Sequence, residues 1–501
     1  MTRVIPSEAR AERTRSRLPR GAPAPMGAIA VLPIEGLVLL LTLAAPSPAQ
    51  MLDRSKRPVA GPPAPFTFPK LDSRTLPNGL QVTIVENHEL PVVAVRAVIE
   101  GGALVDPGGK EGLYTLVTGM LREGTTSMSA DQLAEAFADL GNSVNPTGFT
   151  TITRNLDRSL ELMGDMLMHP AFPQPAIDRQ KANTITNIQR AKEQPLFVAQ
   201  RLFTTMLYGA GHPYQRAATE QSLGSLTRDD LVHFHAEYVR PQNVRLVVVG
   251  DVTPAFVMPK IERAFGAWEK GGTTVAYQIP QPKPPTKTTI YLYDRPNSPQ
   301  SVVTMGQIGP TRTSDDFYAL DVMNTVFGQL SGSRLNQNLR EKHAYTYGAN
   351  SFWTWRRSPE VSTFASSSSI VAPKTDSAVI EWMKELRGIR GDQPITDKEL
   401  DFARTNRVAG LPATLESNDQ VANAVVNILQ NNLPPDYYQQ YVRRVSTITG
   451  SDIASAAAKY VDPDNTTIVI VGDRKLIEPA LRAANVAPIM IIDENGKVIE
   501  S

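Results

Sequence analysis

Leu246-Val247-Val248-Val249-Gly250-Asp251 is an unbroken apolar run ending in Gly-Asp, and Ile468-Val469-Ile470-Val471-Gly472-Asp473 repeats it at an offset of 468 − 246 = 222 residues. The same offset relates Ser225-Leu226-Thr227-Arg228-Asp229-Asp230-Leu231 to Thr447-Ile448-Thr449-Gly450-Ser451-Asp452-Ile453. It also relates Tyr238-Val239-Arg240-Pro241-Gln242-Asn243 to Tyr460-Val461-Asp462-Pro463-Asp464-Asn465. Each copy reads as a capped helix, a turn and a strand covered by its neighbours. One such match could be chance, but three at one offset indicate an internal duplication.

The boundary between the copies follows from this offset. Gln278-Ile279-Pro280-Gln281-Pro282-Lys283-Pro284-Pro285 is a stiff proline-rich linker, and strand pattern restarts at Thr288–Tyr293. The expected organisation is a first half over 69–275, a linker over 276–287, a second half over 288–487 and a tail or small hairpin over 488–501. In the first half, Pro77-Asn78-Gly79 between alternating runs predicts a hairpin. A strand is expected over Val92–Ile99, and helices over Ser129–Leu140, Leu156–Met168 and Pro175–Lys192. Long helices mixed with strands place both halves in the α+β class.

At 501 residues the chain is too long for one ordinary domain, and 41% hydrophobic with 20% charged residues is a normal globular composition. A formal net charge of +1 gives no basis for binding nucleic acid or an anionic membrane. Residues 1–49 read as an export signal: arginines at 10, 13, 15, 17 and 20, an apolar core over Leu37–Ala45, and Ser47-Pro48-Ala49 as a cleavage site. That core is too short to span a bilayer, so no stable membrane span is expected. Residues 50–68, rich in proline, read as an unstructured lead-in. The absence of cysteine excludes disulfides, thiolate metal sites and cysteine nucleophiles, and suits an oxidising compartment. An exported periplasmic protein is the expectation.

Gly112-Leu-Tyr-Thr-Leu-Val-Thr-Gly-Met-Leu-Arg-Glu-Gly-Thr125 predicts a helix, with Leu113, Leu116, Val117 and Met120 on one apolar face. Its frame resembles the metal-binding helix of the insulinase/pitrilysin (inverzincin) zinc peptidases, whose motif is H-x-x-E-H. On that frame the metal histidines fall at Thr115 and Gly119, and the catalytic glutamate at Thr118. The third ligand position of the family falls near Asn187 or Thr186, neither of them acidic. A hydrolytic zinc needs about three protein ligands and a base for its bound water, and a neutral hydroxyl is no base near pH 7. The six histidines, at 88, 169, 212, 233, 235 and 343, include no pair four residues apart. His233 and His235 point apart on a helix, and read as structural.

The resemblance covers roughly residues 70–485 and includes Leu76-Pro77-Asn78-Gly79-Leu80, His169-Pro170-Ala171-Phe172 and both Gly-Asp strands. It implies a clamshell of two halves, each a mostly antiparallel sheet covered by helices. The interval from Gly119 to Asn187 is shorter than is usual in the family, and the shortage is expected at a strand pair between Asn145 and Asn155. In the second half, Leu339-Arg340-Glu341-Lys342-His343-Ala344-Tyr345-Thr346-Tyr347-Gly348 is similar to the family's arginine/tyrosine segment. The resemblance implies that Arg340 and Tyr347 reach the substrate backbone and the developing oxyanion, a role that suits a guanidinium fork and a phenol. Trp353, Trp355, Arg356 and Arg357 could line a cleft or simply pack.

A chain that keeps the clamping pair and lacks the metal motif resembles the non-catalytic subunit of the two-chain members. It would bind no zinc itself, dock with a partner carrying zinc on H-x-x-E-H, and act with it on short unstructured peptides. The alternative is an inactive peptide-binding or scaffold protein of the same fold. No G-x-S-x-G elbow, P-loop or G-x-G-x-x-G fingerprint supports an independent enzyme of another class.

Overall fold

The computed structural model describes residues 66–500 apart from residues 210 and 277. The expected signal segment 1–49 and nearly all of the lead-in lie outside the described residues. The Pro-Asn-Gly turn closes a hairpin between β1 (Asp72–Thr75) and β2 (Gln81–Glu86), with Thr75 opposite Gln81. Gly79 takes φ +89°, a conformation strained for a residue with a Cβ. Asn78 donates to the carbonyls of Phe265 (2.7 Å) and Trp268 (3.1 Å), tying the turn to the far end of its half.

From β3 (Val92–Ile99) the chain enters α1 (Leu113–Met120) and α2 (Ala130–Asp139). Ser129 and Gln132 cap α2 reciprocally. A short hairpin follows, β4 (Ser143–Asn145) and β5 (Gly148–Ile152), then α3 (Leu156–Met168), α4 (Gln174–Lys192) and α5 (Pro195–Tyr208). The half closes with α6 (Glu220–Ser225), α7 (Arg228–Tyr238), β6 (Val244–Gly250) and α8 (Pro254–Phe265). Its sheet has the order β1-β2-β6-β3-β5-β4, antiparallel except where β2 meets β6.

The second half begins with β7 (Thr289–Asp294), β8 (Gln300–Gly309) and α9 (Phe317–Asn324), then β9 (Thr346–Thr354) and β10 (Ser362–Val371). Five helices follow: α10 (Thr375–Arg387), α11 (Asp397–Ala409), α12 (Asn418–Gln430), α13 (Tyr437–Thr447) and α14 (Gly450–Tyr460). The chain ends with β11 (Thr467–Gly472), α15 (Arg474–Ala484), β12 (Ile489–Ile492) and β13 (Val498–Glu500). The second sheet has the order β13-β12-β7-β11-β8-β10-β9.

Strands β2, β6, β3, β5 and β4 therefore correspond to β7, β11, β8, β10 and β9, with a parallel pair at the same place in each sheet. The repeated blocks match in detail. Thr227 with Asp230 and Thr449 with Asp452 form the same capping box, and 3-10 turns at Pro241–Asn243 and Pro463–Asn465 lead into β6 and β11. The copies differ at one hairpin. β4 and β5 have 3 and 5 residues, where β9 and β10 have 9 and 10, which is the abbreviation expected between Asn145 and Asn155.

Each sheet has two buried faces, and each half covers only one of its own. Val198, Leu202 and Phe203 of α5 pack on Val302, Val469 and Val471 of the second sheet. Val421, Val425 and Ile428 of α12 join the cluster holding Val85, Ala94, Val247 and Val249 of the first. The halves thus exchange helices. Polar contacts pin the start of α12 to the first sheet: Asp419 accepts from Thr150 Oγ1 (2.6 Å) and pairs with Arg96, and Asn418 donates to the Val92 carbonyl (2.8 Å). The described residues from 66 to 500 accordingly belong to one compact unit.

One end differs from expectation, and the other forms the small hairpin read from the sequence, built into the second sheet. Phe68, placed in an unstructured lead-in, is buried and packs at a tilt against Tyr438 of α13 with ring centroids 4.8 Å apart, while its carbonyl accepts from Gln439. The segment 488–501 supplies β12, which pairs parallel with β7, so the second sheet extends to Glu500. Ile489, Ile491 and Ile492 are buried there, and that burial makes the segment part of the core. Among the described residues no helix is long and apolar enough to cross a membrane.

Candidate functional site

Helix α1 starts where Asp106, itself buried, accepts from the backbone N–H groups of Gly112 (2.8 Å) and Tyr114 (2.7 Å). Burial raises this carboxyl above its usual pKa even though both bonds favour the charged form. Gly112 has φ +100°, and a Cβ there would meet Ala218 Cβ at 2.9 Å. Leu113, Leu116, Val117 and Met120 are buried beneath the helix. Thr115 is exposed, whereas Thr118 is buried and its hydroxyl donates to the Tyr114 carbonyl (2.9 Å). Gly119 lines a cleft of about 620 Å³ together with Glu123, Leu133, Phe137, Val144 and Gln180.

The third expected position, Asn187, is exposed on α4, which packs against α1. Asp178 is the only carboxylate on α4, and it accepts from Gln174 one turn earlier. Glu123, on the cleft wall, is engaged by Arg179 (2.6 Å) and Gln180 (3.4 Å). Among the described residues no three His, Asp or Glu side chains gather as metal ligands would. Space is not the obstacle, because a Cβ on Gly119 would meet nothing within 4 Å. The side chains at Thr115, Thr118 and Asn187, with none at Gly119, do not fit a hydrolytic zinc ion.

The second half builds a different feature. Arg340 lies on a π-helical turn, Asn336–Lys342, and is about half exposed, with Nε 3.4 Å from Glu341 Oε1. Tyr347 stands at the start of β9 and is 91% exposed. No hydrogen bond or cation–ring contact joins the two side chains, although one short segment carries both.

The backbone beneath them is held at several points. Buried Asn336 donates to the Ala349 carbonyl (2.8 Å) and accepts from the Ala349 N–H (2.9 Å), clipping the turn to β9. Arg334 makes a two-pronged contact with Glu399 of α11 (2.7 Å each), which depresses that carboxyl to about 2. Ser368 donates to Thr346 Oγ1 and to the Gly348 carbonyl (2.9 Å each), where the β9–β10 register shifts. Tyr347 is therefore an exposed aromatic ring on an anchored backbone. Sequence reasoning missed Asn336, Arg334 and Ser368, and the one signal for Asn336 was a polar residue inside an otherwise helical run.

The remaining candidates divide cleanly. His235 is buried, its Nε2 2.8 Å from the Leu167 carbonyl, and burial lowers its pKa to about 4; His233 is exposed. Trp353 packs between Trp355 (4.7 Å) and Phe364 (5.1 Å). Trp355, Arg356 and Arg357 line a cleft of about 380 Å³ between the halves, facing Glu100 and Tyr114. Arg356 lies 3.6 Å over the Tyr214 ring, and Tyr214 donates to Glu360.

Comparison with known proteins agrees with this architecture. Residues 81–219 match the family model of the insulinases (peptidase family M16), and residues 225–407 match the peptidase M16 inactive domain. A curated relative, an uncharacterized zinc protease of Bacillus subtilis, is 23% identical over 359 residues, covering 69% of this chain and 84% of that protein. The peptidase M16 inactive domain from Pseudomonas fluorescens has the same fold, with a TM-score of 0.71 at 24% identity over 80% of this chain and 98% of that one. The periplasmic protease PqqL from Escherichia coli superposes with a TM-score of 0.64 at 16% identity, covering 84% of this chain but 50% of that one. Two matched halves spanning well over half of the sequence, on a duplicated α+β framework, establish the affiliation: the chain belongs to the insulinase family of peptidases.

Proposed function

We propose that this chain is the non-catalytic subunit of a heteromeric zinc peptidase acting on short unfolded peptides in the periplasm. A partner chain with an intact H-x-x-E-H motif brings the zinc and the base. Arg340 and Tyr347 of this chain then contact the substrate backbone and the developing oxyanion across the interface. The observation that carries this reading is the contrast between the two sites. The metal positions lack donors, while Tyr347 stands 91% exposed on a backbone clamped from below. Anchoring the donors in advance lowers the ordering cost of engaging a substrate. The match to only half of PqqL supports a second, similar body completing the assembly, and that protein's periplasmic description fits the export signal read at residues 1–49.

The test is hydrolysis of short unstructured peptides by this chain, by an H-x-x-E-H partner encoded beside it, and by the mixture, with bound zinc quantified. Activity in the mixture alone, zinc on the partner, and a loss of ~100-fold or more in kcat for Arg340→Ala are expected, by analogy with removal of one oxyanion donor. Activity indifferent to both Arg340→Ala and Tyr347→Phe would favour the scaffold alternative. Zinc-dependent hydrolysis by this chain alone would overturn the assignment.

A further inference from the structure

Another cavity, of about 360 Å³, opens between α11, α12, α13 and the segment before α9, within the second half. Its walls include Arg312, Arg407, Asn406, Asn427, Tyr437 and Tyr438. The two arginines are the only formally charged residues among those that line it. Asp321, behind the wall, accepts from Arg407 Nε (2.9 Å) and from Tyr441 (2.5 Å), and so balances Arg407.

Arg312 has no such counterpart. Its guanidinium lies 3.8 Å over the Phe317 ring and 5.2 Å from that of Tyr437, and it donates to the Tyr437 hydroxyl at 2.6 Å. Among the described residues no carboxylate lies within ion-pair distance of it. The nearby acids are engaged elsewhere: Asp315 by Arg444 (3.2 Å), Asp316 by Lys459 (2.8 Å) and Asp436 by Gln440 (2.7 Å). Burial raises the phenols of Tyr437, Tyr438 and Tyr441, so they stay neutral donors near pH 7. The result is one uncompensated cation, aromatic walls and amide donors around a space of ligand size.

We propose that this cavity binds a carboxylate attached to an aromatic or apolar body, either a small organic acid or the C-terminal residue of a peptide. The carboxylate would face Arg312 and the body would lie against Tyr437 and Tyr438. The site is separate from the Arg340–Tyr347 segment, and the inference stands whether or not that segment serves a peptidase.

Isothermal titration of the full chain tests it with N-acetyl-L-phenylalanine and its amide, and with Ala-Ala-Phe and its C-terminal amide. Saturable binding of an acid, and binding at least ~10-fold weaker for the matching amide, are expected from loss of one charge-assisted bond. Preference between the two acids identifies the source of the carboxylate. Arg312→Gln should weaken the acid by a similar factor. Thr414→Trp, on the exposed rim, should block it without touching the core, and decides the matter if Arg312→Gln fails to fold. Equal binding of acid and amide, unchanged binding by the variants, or no saturable binding at millimolar ligand would overturn the proposal.

Discussion

Phe203→Ala tests whether the two halves are one cooperative body. Phe203 belongs to the first half by sequence, yet it is 4% exposed against the second sheet. It packs so close to β8 that a Cβ on Gly306 would meet its Cζ at 2.9 Å. Truncation removes a buried ring and leaves a cavity that α5, fixed along its length, can only partly close. Such changes cost about 3–5 kcal/mol, and the partial exposure of α5 near Leu196 and Phe197 favours the lower end. With a denaturant slope near ~4 kcal/mol/M urea for a chain of this size, the midpoint should fall by roughly 0.7 M. The assay is ¹⁹F NMR of protein labelled with 5-fluorotryptophan during a urea titration. Trp268 reports on the first half, and Trp353, Trp355 and Trp382 on the second. Exchanged helices require all four resonances to vanish together and to shift together in the variant. A shift confined to the second-half tryptophans, with Trp268 unmoved, would refute the coupling.

Three further outcomes follow from the described contacts. Asn336→Ala strands the Ala349 N–H and carbonyl, so amide exchange over residues 340–349 should accelerate by ~10-fold or more, as expected for ~1–3 kcal/mol of lost local stability; unchanged exchange would remove Asn336 from its positioning role. His235 has a folded-state pKa of about 4 against 6.5 unfolded, so its contribution is present above pH 6.5 and is lost as pH falls from 6.5 through 4. That amounts to ~3 kcal/mol at most, and urea midpoints for His235→Gln should show a flatter profile across this window. Thr115→His with Gly119→His places two imidazoles one turn apart, with open space at the Gly119 Cβ and position 115 exposed, so the double variant should gain zinc or nickel binding by calorimetry. Without an acidic residue at Asn187 or a base at Thr118, it should remain inactive on peptides.

The duplication was legible because its marks are local. Thr227 with Asp230 and Thr449 with Asp452 cap their helices through atoms three residues apart, and the Gly-Asp strands carry their burial in their own composition. The residue types at the expected metal positions, Thr115, Thr118 and Gly119, were equally plain, since a side chain's identity needs no coordinates to read. The destination of an amphipathic face was not legible. Val198, Leu202 and Phe203 make an ordinary apolar stripe, as do Val421, Val425 and Ile428, and nothing in either stripe says that its sheet lies in the other half. Asn336 failed for a related reason: its buried amide is satisfied by Ala349, thirteen residues on, after the chain has reversed. The small hairpin of β12 and β13 was legible in its apolar run and Asp493-Glu494-Asn495-Gly496 turn, but the parallel docking of β12 on the edge of β7 was not.

The exchanged helices also bear on ancestry. Released from its sister, either half would present a sheet with one apolar face bare and a helix with nothing to cover, which is the condition of a subunit that exists only in pairs. Two identical copies of such a half could satisfy one another by each lending a helix. The present chain is that arrangement in a single polypeptide, and the proline-rich segment at residues 278–285 joins bodies that packing alone would already hold together.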